Sequence, residues 1–231
     1  YHDAHDILLR MEEIPNRLKA VKMDGQRILK IGCTMKQDTK VLTKALRLFH
    51  QENSMVSPRI YLDDYFQLVN RLVENQLDLI MGTKAMIQDR TECQFQKLFT
   101  CSMKALIPKE IAIIDPKSLS INDLQNYSFI TLRQKSIPKL KEDELERFLS
   151  AKTREKNVIR QDDVEAVLAL TLSGYGIGIL PEYSFCKEDL DETVQVVDIQ
   201  ESLEIDYGII YLKKDKNLLI KEFIKCLNSF L

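Results

Sequence analysis

The stretch TLSGYGIGILPEY, residues 171–183, places three glycines between an almost wholly apolar run, residues 164–172, and a proline. The glycines are Gly174, Gly176 and Gly178. A Gly-x-Gly pair occurs in phosphate-binding loops, but such a loop follows a strand, opens a helix and has a further glycine where this chain has Ile179. The opposite order fits better: a buried helix ends at Gly174 in a left-handed conformation, and residues 176–181 form a short strand in a crowded setting. The stretch therefore predicts a helix-to-strand junction.

Short strands and amphipathic helices alternate in the first half of the chain. The predicted elements are a strand at 28–34, a helix at 38–52, a strand at 59–62, a helix at 65–75 and a strand at 77–81. The first helix has its apolar residues on one face, and Thr34-x-x-Gln37 just ahead of it has the form of a capping box. Because helices join successive strands, this order predicts a parallel sheet with right-handed crossovers.

The second half of the chain has longer strands and a second unit of strands and helices. The predicted elements are a β-rich run at 98–107, strands at 126–132 and 158–160, helices at 138–151 and 162–173, strands at 194–199 and 207–212, and a terminal helix at 218–231. Asp162-x-x-Glu165 has the form of a second capping box. Two units of similar build joined by long strands indicate two α/β lobes with a cleft between them.

Residues 1–27 are charged and carry one apolar helical stripe. The stripe consists of Ile7, Leu8, Met11, Ile14, Leu18 and Val21. Pro15 is expected to kink or end this helix. The stripe requires a partner surface, which is either another chain, a preceding domain or the helix's own domain.

Composition narrows the class of protein. The chain has 231 residues, 45% of them hydrophobic and 29% charged, with a net charge of −2 and a pI near 6.0. It has no overall basic surface for nucleic acid, so contact with DNA would have to come from elsewhere. Five cysteines, an odd number without a C-x-x-C pair, indicate reduced thiols. Without a membrane-spanning run or a secretory signal, we expect a soluble, cytoplasmic protein and no membrane partner.

The sequence contains few of the residues that catalytic and metal sites commonly use. Its three histidines are His2, His5 and His50, so a Cys–His or Ser–His dyad is not expected, and no histidine spacing matches a metal site. We therefore expect no catalytic residue, no metal and no cofactor. Cys33 and Cys101 lie on strands predicted near the cleft, which leaves redox sensing as an alternative to simple packing.

Several segments together resemble the effector-binding region of LysR-type transcriptional regulators. They are the opening strand Leu29-Lys30-Ile31-Gly32, the segment LVENQLDLI at 72–80, which is similar to the family's L-x-x-G-x-L-D-L, the segment SINDL at 120–124, and the helix–glycine–strand signature at 167–181. Each segment alone is weak evidence, whereas their common order is fairly specific. The resemblance covers residues 29–231.

The resemblance implies an α/β fold of two Rossmann-like subdomains joined by two hinge strands, as in type 2 periplasmic binding proteins. Residues 1–27 would be part of a linker helix. The first subdomain is expected at 28–100 plus 208–231, and the second at 101–207. A small-molecule effector would bind in the cleft, and DNA would be bound only by an N-terminal winged helix-turn-helix domain outside this sequence. The alternative is a stand-alone binding protein or enzyme of the same fold.

Ligand-binding residues are expected where parallel strands end, because helix N-termini there present free N–H groups to anions. The candidates are Thr34, Lys36, Gln37, Asp64, Tyr65, Thr83, Ser102, Thr131, Arg133 and Pro181. Lys36 and Arg133 are cationic groups at the mouth of the cleft, which predicts a small organic acid, and the alternative is that both are solvated surface charges. Asp64 could instead cap its helix, and as a ligand group it would favour an amine or a hydroxyl.

The resemblance also implies a homodimer or homotetramer. In the family, the first helix pairs antiparallel with a second-lobe helix of a neighbouring subunit. Here these would be the helices at 38–52 and 138–151. Leu48 lies off the inward stripe of the first helix, and Met55 and Val56 follow that helix in a predicted loop. This excess of apolar residues fits a subunit contact. The alternative is that these residues complete the core or loop packing of the monomer.

Overall fold

The computed structural model describes most of the chain from residue 27 onward. The described residues are 27–35, 37–111, 118–120, 123, 127–133, 158–186, 190, 192–200, 204–215 and 217–229. They form two β-sheets packed with helices. None of the helices in these ranges combines the length and the apolarity that crossing a bilayer requires. The predicted helix at 138–151 and residues 1–26 of the predicted linker helix lie outside the described residues, whereas Arg27, the expected end of that linker helix, begins a strand.

The first sheet contains five strands. They are β1 (Arg27–Cys33), β2 (Val56–Leu62), β3 (Leu79–Thr83), β4 (Cys93–Cys101) and β11 (Ile205–Leu212), in the order β2-β1-β3-β11-β4. β1 is parallel to β2 and β3, whereas β11 is antiparallel to β3 and β4. Helices α1 (Asp38–Glu52) and α2 (Tyr65–Val73) join the parallel strands. The predicted order of strands and helices is therefore confirmed for this sheet.

Helices cover both faces of the first sheet. On one face, α1 packs beside the terminal helix α4 (Leu218–Asn228), and the ring of Phe49 meets the ring of Phe223 edge-on with centroids 5.4 Å apart. On the other face, α2 buries Leu68 and Leu72. Because successive strand residues point to opposite faces, each strand supplies both of these cores. This sheet and its helices are called the first lobe below.

The second sheet contains six strands. They are β5 (Met103–Pro108), β6 (Ser118–Leu119), β7 (Phe129–Leu132), β8 (Val158–Gln161), β9 (Ile177–Pro181) and β10 (Val194–Ile199), in the order β6-β10-β5-β9-β7-β8. β7 is parallel to β8 and β9, and β5 is antiparallel to β9 and β10. Helix α3 (Val164–Leu172) buries Val167 and Leu168 against this sheet. The sheet and α3 form the second lobe.

The chain crosses from the first sheet to the second at Ser102 and returns between Ile199 and Ile205. The predicted β-rich run at 98–107 is confirmed, and it divides at Ser102 into β4 of the first sheet and β5 of the second. The subdomain limits expected at 100/101 and 207/208 stay predictions.

The three glycines of the junction between α3 and β9 have separate roles. Gly174 has φ +79° and follows the last residues of α3, so the left-handed helix end is confirmed. At Gly176, an added Cβ would lie 2.6 Å from the backbone oxygen of Ser128. At Gly178, it would lie 2.5 Å from the hydroxyl oxygen of Thr171 on α3. The last two glycines thus allow β9 to lie close to its neighbours.

Candidate functional site

A cleft of about 450 Å³ opens between the two lobes. The first lobe lines it with Thr34, Met35, Gln37, Leu62, Asp63, Asp64 and Tyr65, and the second with Leu132, Asp162, Asp163, Val164 and Glu165. These residues end or follow β1, β2, β7 and β8, each of which pairs with a parallel neighbour. The cleft therefore lies at the carboxyl ends of parallel strands in both lobes, where α/β sheets bind ligands.

The polar part of the cleft wall is mainly acidic. It contains five carboxylates, those of Asp63, Asp64, Asp162, Asp163 and Glu165. No lysine or arginine is among the lining residues that the structure describes, and Lys36 lies outside the described residues. The wall thus presents hydrogen-bond acceptors more than donors.

Two of these carboxylates begin helices. The backbone N–H of Gln67 donates to Asp64 at 2.9 Å, and the backbone N–H of Ala166 donates to Asp163 at 2.7 Å. Asp64 therefore caps α2, and Asp163 caps α3. The interpretation of both acidic pairs as helix starts is confirmed at these two residues.

The other two aspartates face arginines. The carboxylate of Asp63 lies 3.8 Å from the guanidinium of Arg71, and that of Asp162 lies 3.6 Å from the guanidinium of Arg133. The Arg133 and Asp162 side chains are each 54% exposed, so this pair is well solvated and contributes little to stability. Arg133 is thus a cation at the rim of the second lobe.

The apolar part of the wall comes from Met35, Leu62, Tyr65, Leu132 and Val164. Leu62 is 53% exposed at the end of β2, whereas Met35 and Leu132 are buried. Each lobe therefore contributes both apolar and acidic groups to the wall of the cleft.

Two backbone N–H groups of the loop between β1 and α1 donate hydrogen bonds to a buried carboxylate. Asp38, the first residue of α1, accepts hydrogen bonds from the backbone N–H groups of Thr34 at 3.1 Å and Met35 at 3.2 Å. It also accepts one from the hydroxyl of Tyr207 on β11. The predicted capping box of Thr34 and Gln37 is wrong, because Gln37 makes no side-chain cap and Asp38 satisfies the loop amides.

Tyr207 connects this carboxylate to the second lobe. Its ring lies 5.1 Å from the ring of Phe99 and 4.6 Å from that of Tyr183, which follows β9. Burial raises the pKa of the Tyr207 hydroxyl well above its ordinary value, with a further contribution from Asp38. The hydroxyl therefore keeps its proton and donates a hydrogen bond to the carboxylate of Asp38.

Asp38 makes stability depend on pH. Burial raises the pKa of its carboxyl from 3.8 to about 6, against the opposing effect of the hydrogen bonds from Tyr207 and the loop. The folded protein therefore binds this proton more tightly than the unfolded chain, and the stability due to this group falls as pH rises from about 3.8 to about 6.

We expect the free energy of unfolding of the wild type to fall by about 2–3 kcal/mol relative to that of Asp38→Asn as pH rises from about 4 to about 7. Urea unfolding of both proteins at several pH values measures this difference. A difference that stays constant over this range would show that the pKa of Asp38 is not raised.

Only some of the predicted ligand residues line the cleft. Thr34, Gln37, Asp64 and Tyr65 line the cleft, and Lys36 lies outside the described residues. Ser102, Thr83, Thr131, Arg133 and Pro181 are not among the residues that line it. The hydroxyl of Thr131 is buried and donates to the backbone oxygen of Ile179 at 2.9 Å. The role of each candidate in binding stays a prediction.

Thr83 lies at a second, smaller depression of about 330 Å³ beside Lys84, Gln88 and Asp206. Its buried hydroxyl has no hydrogen-bond partner among the residues that the structure describes. Pro181, at the end of β9, is buried, and its backbone oxygen accepts a hydrogen bond from the hydroxyl of Ser184 at 2.7 Å.

The cysteine thiols near the cleft are poorly suited to redox chemistry. Burial raises the pKa of Cys101 to about 11 and raises that of Cys33 still further, with a contribution from Asp38 to the latter. Because the thiolate is the reactive form, these environments favour packing over redox sensing. In the described ranges, no three His, Cys, Asp or Glu side chains come close enough together to hold a metal ion.

Comparison with known proteins identifies relatives of this fold. The family model of the LysR substrate binding domain matches residues 24–231. The effector binding domain of QuiR in complex with shikimate is 14% identical, with a TM-score of 0.70 over 89% of this chain and 97% of that chain. Full-length CbnR complexed with its target DNA is 13% identical, with a TM-score of 0.68 over 99% of this chain and 78% of that chain.

The regulatory domain of NMB2055 (MetR), a LysR family regulator from N. meningitidis, is 18% identical, with a TM-score of 0.66 over 87% of this chain and 92% of that chain. No curated protein matches the sequence. At these low identities the likeness concerns the fold alone, and it confirms the predicted α/β fold of two lobes related to periplasmic binding proteins.

Proposed function

The chain belongs to the LysR substrate-binding domain family, and from this premise we propose that a small effector binds in its inter-lobe cleft and thereby controls DNA binding by a winged helix-turn-helix domain of the same protein. The family consists of regulatory ligand-binding domains of transcriptional regulators rather than enzymes. Such a regulator would act in the cytoplasm. The observation that carries the proposal is that both lobes contribute walls to one cleft.

A ligand between two walls can change how the lobes sit relative to each other. A compound that contacts Thr34 or Tyr65 of the first lobe and Asp163 or Val164 of the second stabilises the arrangement of the lobes in which both contacts form. The cleft volume of about 450 Å³ lies in the range usual for small-molecule sites. The complex of QuiR with shikimate supports a small molecule as the effector.

The chemistry of the walls supports an effector with two kinds of group. The effector would carry hydroxyl or ammonium groups, which would donate hydrogen bonds to the carboxylates of Asp63, Asp64 and Glu165. The effector would also carry an anionic group, which would bind the guanidinium of Arg133 at the rim. This agrees with the organic acid that Lys36 and Arg133 predict. Amino acids and hydroxylated carboxylic acids carry both kinds of group.

A thermal-shift screen tests this proposal. We expect compounds with both groups to raise the melting temperature, because a ligand at 100 times its dissociation constant adds about 2.7 kcal/mol of stability. Compounds lacking either group serve as controls. The proposal is contradicted if the stabilising compounds bind equally well to variants that alter cleft residues on both walls, such as Tyr65→Ala and Val164→Ala.

Arg133→Ala is expected to weaken binding of the strongest anionic hit by more than about tenfold, because the variant removes its charge-assisted contact. Its free energy of unfolding should stay within about 0.5 kcal/mol of the wild type, since the side chain is 54% exposed. Calorimetric titration measures the affinity, with Lys221→Ala, an exposed cation on α4, as the control. Unchanged affinity in Arg133→Ala would remove this residue from the site.

We further propose that α1 contributes to a homodimer. Leu48 on its outer side is 37% exposed and Met55 after it is 65% exposed, although Leu42, Ala45 and Phe49 on its inner side are buried. Val56, which was predicted in a loop at the same contact, instead begins β2 and is buried. A contact made twice about a two-fold axis would cover the apolar surface of Leu48 and Met55. Its expected partner, the helix at 138–151, lies outside the described residues.

Leu48→Asp is expected to convert the dimer to monomers without unfolding the chain, because dimerisation would bury an unpaired charge. Leu218→Asp is the matched control, since Leu218 is an exposed leucine on α4. Light scattering at about tens of micromolar measures the mass of each protein. A wild-type protein that is monomeric at this concentration would refute the dimer.

A further inference from the structure

Tyr183 belongs to the second lobe, but its side chain packs against residues of both lobes. It lies in the short 3₁₀ helix Glu182–Ser184, which directly follows β9. The side chain packs against the core of the first lobe, which contains Tyr207, and against the two hydrophobic clusters to which the second lobe contributes most residues. Tyr183 therefore connects the cores of the two lobes.

The backbone around Tyr183 is bonded to the place where the chain first crosses between the lobes. The N–H of Glu182 donates a hydrogen bond to the backbone oxygen of Ser102 at 3.0 Å, and the N–H of Tyr183 donates one to the thiol of Cys101. The same thiol donates to the backbone oxygen of Ile205, 3.6 Å away, at the start of the returning strand β11. These three segments are therefore held together where the lobes meet.

The ring of Tyr183 contacts the returning strand as well. Its centroid lies 4.6 Å from that of Tyr207 on β11, and the two ring planes are inclined by 31°. Tyr207 is buried, and its ring also stacks on that of Phe99 on β4, with centroids 5.1 Å apart. Such aromatic contacts stabilise a buried arrangement beyond the area that they remove from water. Tyr183 thus contacts both connections between the lobes, one through its backbone and the other through its ring.

We infer that Tyr183 is a positioning residue, whose ring limits the arrangements of the two lobes that the crossing strands allow. Two strands alone can bend and twist, and movement between lobes is the usual behaviour where the contact between them is small. Any movement that carries β9 away from β11 must slide or break the contact of Tyr183 with Tyr207. The inference rests on the proposed function, because the effector would act by changing the lobe arrangement that Tyr183 limits.

Loss of this ring is expected to weaken effector binding indirectly. Without the ring the lobes adopt more arrangements, and only a fraction of these bring both cleft walls within reach of one ligand. Because the apparent affinity falls with that fraction, we expect Tyr183→Ala to weaken binding of a stabilising compound by at least about threefold. Tyr183 is not among the described residues that line the cleft, so this loss would not come from a missing contact with the ligand.

Distances between the lobes test the inference without any effector. Spin labels can be attached to ketone-bearing residues introduced at Lys221 of α4 and Ala169 of α3, which are both exposed, so that the five cysteines stay unlabelled. Double electron–electron resonance then measures the distance between the labels, and dilution with unlabelled protein removes distances between copies. We expect Tyr183→Ala to widen the distribution of distances beyond that of the wild type, and Tyr183→Phe, which keeps the ring, to leave it unchanged.

Tyr211→Ala is the matched control, because Tyr211 is a partly buried tyrosine of β11 that packs against the core of the first lobe. It should lower stability without widening the distribution. Tyr183→Leu, which loses the ring but keeps an apolar side chain, provides the same test if Tyr183→Ala does not fold. A wild-type distribution in either of these Tyr183 variants, or equal widening in Tyr211→Ala, overturns the inference. Failure of every compound to stabilise the chain would contradict the proposed function instead, since the distances are measured without a ligand.

Discussion

Phe223→Ala is expected to lower the free energy of unfolding by about 3–5 kcal/mol, because it removes a fully buried aromatic ring and leaves a cavity. The ring of Phe223 meets Phe49 edge-on and belongs to the core that α1 and α4 form over the first sheet. Loss of this ring weakens the support of α1, the helix whose first residue is Asp38.

Urea unfolding measures this loss, and Leu218→Ala is its control. Leu218 lies on the same helix but is 58% exposed, so its replacement should change stability by no more than about 0.5 kcal/mol. Equal losses in the two variants would contradict the packing of α4 on α1.

Gly176→Val is expected to destabilise the protein by about 2–4 kcal/mol, because its Cβ would come within 2.6 Å of the backbone oxygen of Ser128. The same oxygen accepts a hydrogen bond from the N–H of Ile177 at 2.9 Å, so a shift of either segment would also weaken the pairing of β9 with β7. The effect should appear as a lower midpoint of urea unfolding.

The matched control is Tyr175→Val, which introduces the same side chain at the preceding residue. Tyr175 is 65% exposed, and its replacement is expected to change stability by about 0.5 kcal/mol or less. If Gly176→Val were as stable as Tyr175→Val, β9 would not lie as close to Ser128 as the structure has it.

The fold was largely predictable where one local pattern determined an element. Residues 38–52 were predicted as a helix and form α1 with these limits, because the apolar residues at 42, 45, 46 and 49 recur at helical spacing. Gly174 was predicted to end α3 for an equally local reason. The run at 98–107 was predicted to be β-rich, but the sheet to which each of its two strands belongs depends on partners far away in the sequence.

The site was predictable only in part. Thr34, Gln37, Asp64 and Tyr65 could be placed at the cleft, because the carboxyl ends of parallel strands meet at one edge. Asp38 was missed, since its partner Tyr207 lies 169 positions away and an acidic residue in a first helical turn is usually a surface group. The direction of the Thr131 hydroxyl, towards Ile179, depends on the register of β7 and β9.

Hydrogen exchange with and without the compound that stabilises the chain most is the most direct test of ligand sensing in the inter-lobe cleft. We expect slower exchange at both walls, in residues 34–38 and 63–67 of the first lobe and residues 162–166 of the second, because the ligand would bridge them. Stabilisation accompanied by slower exchange in one lobe only, or away from both walls, would contradict the inter-lobe site.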